Sequence, residues 1–133
     1  MLERRRLPAA ERIAAFDERT KQHARDHRPD AQAWTWVDRE DFKVFWNAPA
    51  VAVISRPVED CCRAGQTLLL ATHDRGLGAC WVGAPMLWLR TPQAKAEIGI
   101  PPDLTPVSAI CIGYAGVAPH GEPRARPRVI WMG

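Results

Sequence analysis

Several things are scarce in this chain, and each shortage removes a class of function. Its four cysteines, Cys61, Cys62, Cys80 and Cys111, contain no Cys-x-x-Cys pair. Vicinal cysteines on a helix point about 100° apart, so neither a shared metal ion nor a disulfide framework is expected. Cys80 and Cys111 stand in apolar, strand-like runs, where a free cysteine behaves as a small hydrophobe. No apolar run reaches the roughly 18–20 residues that a membrane span needs. The basic start, Met1-Leu2-Glu3-Arg4-Arg5-Arg6, has no apolar stretch behind it, so no secretory signal is read and a cytoplasmic protein is expected. Charge of one sign is also sparse, with a net charge of only +3. The N-terminal basic residues alternate with Glu3, Glu11, Asp17, Glu18, Asp26 and Asp30. That is the pattern of a solvated helix surface; a nucleic-acid binder shows a dense basic face.

Self-sufficient catalytic sets are missing as well. His23, His27, His73 and His120 are scattered, and none forms an i, i+4 pair with a flanking Glu. Ser55 and Ser108 lack a Gly-x-Ser-x-Gly setting. Any chemistry must therefore come from a bound cofactor.

What remains is one domain's worth of material, 133 residues of which 47% are hydrophobic. Residues 1–47 read as a helical front segment, 48–115 as the core, and 116–133 as a basic, Pro-rich tail. Pro8 to His27 reads as a weakly amphipathic helix with Ile13 and Phe16 as its apolar contacts. Trp34, Trp36, Phe42, Phe45 and Trp46 form an aromatic cluster, of which the last three are spaced like one face of a helical turn. Packed core is the first reading for these aromatics; the wall of a substrate pocket is the second. Ala50 to Ser55 is β-branched and continuous, as a buried strand is. Val58 to Arg75 reads as a helix closed by Gly76. Its Leu68, Leu69, Ala71 and Thr72 predict burial on more than one side. Gly65 within it predicts a close helix approach, which would suit a subunit interface.

Leu77 to Val82 reads as the second strand. A helix capped by Thr91, with Pro92 at its first position, ends at Gly99. Val107 to Tyr114 reads as the third strand. The alternation of strands and helices predicts an α+β or α/β layer with a mainly parallel sheet. Arg128 to Met132 is too short to bury itself, and such a segment often pairs with another sheet edge.

Gly76, Gly78 and Gly83 remove side chains, which either frees the backbone to approach a flat ligand closely or serves the strand–helix junctions for purely local reasons. The run Gly76-Leu77-Gly78-Ala79-Cys80-Trp81-Val82-Gly83, followed by Ile110-Cys111-Ile112-Gly113-Tyr114-Ala115, resembles the C-terminal half of the FMN-dependent nitroreductases. The match in order runs from Ala48-Pro49 to Ala115. The resemblance implies a nitroreductase-like α+β fold and a domain-exchanged homodimer with FMN as cofactor. It also implies two-electron reduction of nitro or quinone-type compounds by NAD(P)H. In that family a backbone N–H of the glycine turn donates to the flavin, which by position implies Val82 and Gly83, with Cys80 and Trp81 beside them. Glu122-Pro123-Arg124-Ala125-Arg126-Pro127 resembles the family's pair of phosphate-holding basic residues, so Arg124 and Arg126 are the candidates.

The family's front motifs, an Arg-Arg-Ser-x-Arg stretch and a Pro-Ser-x-x-Asn-x-Gln-Pro-Trp segment, have no counterpart. Arg4-Arg5-Arg6-Leu7-Pro8 lacks the serine. This implies a member without its front portion, and the alternative expectation is an inactive remnant that keeps the dimer core.

Overall fold

The computed structural model describes residues 9–27, 35–117 and 120–132. The elements are α1 (Ala9–His27), β1 (Ala50–Ser55), α2 (Val58–Asp74), β2 (Gly78–Val82), α3 (Met86–Leu89), α4 (Pro92–Ile98) and β3 (Pro106–Gly113), with a 3-10 turn at Thr35–Asp38. The local punctuation behaves as its chemistry dictates. The Thr91 side chain accepts the Ala94 N–H at 3.2 Å, Pro92 follows it, and Gly99 closes α4 at φ 81°. Gly76 takes φ 70° just after α2, a conformation glycine adopts without steric cost.

The three strands lie in the order β1-β3-β2, and both pairings are antiparallel. The expectation of a mainly parallel sheet is thereby corrected. β1 and β2 do run parallel to one another, joined through α2, but β3 enters between them in the opposite direction. A parallel return needs a crossover of a dozen or more residues, usually one helix. Here the connector carries two short helices, broken at Arg90 and Thr91, and β3 starts near the end where β2 stops.

α2 covers one face of the sheet with the stripe Cys61, Gly65, Leu68 and Thr72, of which Leu68 is half-buried. A Cβ added at Gly65 would stand 2.7 Å from Cη2 of the Trp81 indole. The close approach predicted at Gly65 is therefore real, but its partner is an aromatic ring from β2 and not a second helix. Burial on more than one side of α2 is also corrected. Leu69 and Ala71 are half-buried and Leu70 is 62% exposed, so one chain covers only one side of this helix.

The opposite face carries the main core, where Ile13, Phe45, Val82, Trp88, Leu89 and Ala109 pack together. Phe16 joins it through a tilted contact with Trp88, ring centroids 5.5 Å apart. Asp17 of α1 is buried beneath the loop before β1. Its carboxylate accepts the backbone N–H of Val44 at 3.2 Å and of Phe45 at 2.9 Å. One turn on, the buried Lys21 donates from Nζ to the Arg39 carbonyl at 3.1 Å. Burial pushes the Asp17 carboxyl above its ordinary range, while the two N–H groups and the charges of Lys21 and Lys43 pull it down. The single helical face expected for Phe42, Phe45 and Trp46 does not form. Phe45 is buried and Trp46 is 56% exposed, because the chain turns left-handed at Trp46.

Candidate functional site

A groove of about 330 Å³ opens along the core-side edge of the sheet. Gly78, Ala79 and Cys80 of β2 form one wall, and Cys111 to Ala115 at the end of β3 form the floor. The loop Phe45 to Pro49 closes the other side.

Two glycines let the walls of this groove pack closely. Gly78 and Gly113 are directly paired across β2 and β3, and both are packed against residues that line the groove. A Cβ at Gly113 would meet Pro49 Cδ at 2.8 Å, and one at Gly78 would meet Ala115 Cβ at 2.9 Å. The loop wall is held in an unusual backbone state, with Trp46 at φ 48° and Asn47 at φ 54°. Asn tolerates the left-handed region, whereas a bulky residue such as Trp adopts it at a cost of order 1–3 kcal/mol. The Asp17 carboxylate fixes the two residues just before this pair, so α1 determines where the loop wall stands.

β2 is an edge strand, which leaves the N–H and C=O groups of alternate residues unpaired on its outer side. Beyond it the Gly83 carbonyl accepts the Met86 N–H at 3.0 Å. A Cβ at Gly83 would meet nothing within 4 Å. Accessible, side-chain-free backbone therefore stands at Gly83, just past the strand whose first three residues line the groove.

The sequence-derived candidates divide into three groups. Cys80 lines the groove and Gly83 is exposed at the open strand end. Trp81 and Val82 offer only main chain, since the Trp81 ring lies over Gly65 and Val82 is buried in the core. Arg124 and Arg126 are exposed in the irregular tail, and the fold of one chain does not bring them to the groove. Of the three tryptophans considered for a substrate wall, Trp46 lines the groove. Trp36 packs on Phe42 at 5.5 Å. Trp34 and the segment Arg4 to Pro8 lie outside the described residues. The groove also uses Asn47, Pro49 and Tyr114, of which Pro49 and Tyr114 entered the sequence reading only within the family resemblance.

Cys111 is 5% exposed. Burial, with lesser help from Cys80 and Asp17, pushes its thiol up to about 11. A thiol raised above its unfolded value stabilises the fold below about pH 9, and that contribution is lost as pH climbs toward 11. Chemical denaturation at pH 8 and pH 10.5 should thus show wild type losing roughly 2 kcal/mol more than Cys111→Ala.

A family model described as the nitroreductase family matches residues 3–114. The chain belongs to the nitroreductase family. The chain shares its fold with the FMN-bound nitroreductase of Bacteroides fragilis NCTC 9343, at TM-score 0.77 and 20% identity, covering 95% of this chain and 72% of that one. The FMN-bound nitroreductase of Desulfitobacterium hafniense DCB-2 gives TM-score 0.77 at 15% identity, covering 96% and 73%. A protein of Methanothermobacter thermautotrophicus, provisionally assigned as an NADH dehydrogenase/NAD(P)H nitroreductase, is 40% identical over 62 residues. That stretch is 47% of this chain and 32% of the relative, so the match spans about a third of the curated relative's length. The family match begins at residue 3, so α1 belongs to the nitroreductase fold along with the glycine-turn core. No helix among the described residues is long and apolar enough to cross a membrane.

Proposed function

We propose that this nitroreductase is an FMN-dependent oxidoreductase that passes two electrons from NAD(P)H to electron-poor nitro or quinone-type compounds. The observation that carries the reading is the open backbone at Gly83, where a Cβ would meet no atom, just past the edge strand whose Cys80 lines the groove. A flat ring system needs that freedom along one edge. When bound, FMN supplies the hydride-accepting and hydride-donating centre. The chain's part is to hold it: a main-chain N–H at Val82 or Gly83 donates a hydrogen bond that titrates with nothing, so the contact persists across pH. Trp46 offers an exposed aromatic face for a planar substrate. Arg124 and Arg126 are the phosphate ligands in this reading, and they reach a groove only if the tail lies on a second copy of the chain.

A homodimer follows from the same reasoning. Val129, Ile130, Trp131 and Met132 are 59–94% exposed, and Leu70 of α2 is exposed as well. Apolar groups left in this way at the end of a tail and along a helix suit an interface between copies. The test is steady-state oxidation of NADPH or NADH with a nitroaromatic acceptor, with and without added FMN. An FMN-dependent rate supports the assignment. A folded dimer with no such rate supports a remnant that keeps the scaffold.

A further inference from the structure

Cys80 and Cys111 are direct cross-strand partners in the β2–β3 ladder, and both face the groove. Residues opposite one another in an antiparallel pair project from the same face. Their Cα atoms stand about 4.5 or 5.5 Å apart, depending on the kind of pair, and a disulfide spans Cα separations of about 4.4–6.8 Å. Both thiols are free. Cys80 is exposed and Cys111 is buried beside it, close enough for Cys80 to add to the rise of the Cys111 thiol.

We propose that Cys80 and Cys111 form a reversible dithiol–disulfide site that reacts with low-molecular-weight disulfides entering the groove. The exposed Cys80 thiolate attacks one sulfur of R–S–S–R, forming a protein–SR mixed disulfide and releasing the first RSH. Cys111 then gives up its proton and attacks Cys80 Sγ. That step forms the Cys80–Cys111 bond and breaks the bond from Cys80 to SR, and the second RSH leaves. Two protein thiols are oxidised and one external disulfide is reduced to two thiols. Attack begins at Cys80 because Cys111 is shielded and its thiolate is disfavoured by burial. The other two cysteines lack this arrangement, since Cys61 is buried on the far face with its Sγ–H turned to the Arg56 carbonyl at 3.4 Å. Cys62 stands exposed on α2. The proposal rests on strand register and on the access of Cys80 to the groove, not on the flavin reading.

The test uses the whole purified chain with oxidised glutathione as probe. Wild type is expected to lose two of its four thiols, and a non-reducing peptide map should join the Cys80 and Cys111 peptides. Cys111→Ser is expected to stop at a stable glutathione adduct on Cys80, and Cys80→Ser to leave Cys111 unmodified. A wild-type map showing a lasting adduct on Cys80, a Cys61–Cys62 link in its place, or four untouched thiols overturns the proposal. The wild-type map decides this even where a variant folds poorly.

Discussion

Asp17→Ala is expected to destabilise the fold by about 3 kcal/mol, the largest effect of any single polar substitution here. The wild-type carboxylate satisfies the backbone N–H groups of Val44 and Phe45, both in residues almost completely removed from solvent. Leaving a buried donor unsatisfied costs about 1–3 kcal/mol, and alanine leaves two. The buried Lys21 nearby also loses a countercharge, and its Nζ keeps only the Arg39 carbonyl. Relief of the carboxylate's own desolvation offsets part of the loss. For a chain of this size the midpoint of thermal unfolding should fall by about 10 °C. Differential scanning fluorimetry with a urea titration measures both quantities. A change within about 0.5 kcal/mol would show that Asp17 does not hold the loop. Because that loop is the groove wall, folded Asp17→Ala protein should also bind flavin more weakly than wild type.

Gly83→Val separates the site from the scaffold. Gly83 is not among the residues with positive φ, and a Cβ there meets nothing within 4 Å. A branched side chain therefore enters open space, and stability should stay within about 0.5 kcal/mol of wild type. In the proposed reading the same space receives the edge of the flavin ring. Valine would then hold the ring off the backbone donor, and FMN affinity should fall about a hundredfold, roughly 2.7 kcal/mol. Isothermal titration beside a thermal melt gives the two readouts together. Unchanged affinity would move the flavin away from this bend.

Local chemistry explains what the sequence made legible. Gly76, Gly99 and the Thr91-Pro92 cap act within four residues of themselves, and the helix ends follow from them. Strand positions followed in the same way from continuous apolar runs, to within a residue of the observed bounds. The direction of β3 was not legible, because strand and helix alternate identically whether the return is parallel or antiparallel. Long-range partners were equally hidden. Asp17 acts on residues 27 and 28 positions away, and nothing in the spacing of charged residues on α1 distinguishes it from Glu18. The Trp81 ring over Gly65 likewise needs the sheet in place before the glycine makes sense. At the site, Cys80 and Gly83 came from one contiguous motif; Cys80 lines the groove and Gly83 stands exposed past the other end of β2. The exposure of Trp46 and the place of Asn47 were obscured because their left-handed backbone breaks the helical spacing on which the aromatic cluster was read. Arg124 and Arg126 depend on where the tail lies, which a motif does not specify.

The most direct test of the flavin assignment is titration of FMN into the purified chain, following quenching of flavin fluorescence alongside the mass in solution. The account predicts saturable binding of one FMN per chain, about micromolar or tighter, by a particle of twice the chain mass. A folded protein that leaves flavin fluorescence unchanged at excess would contradict it.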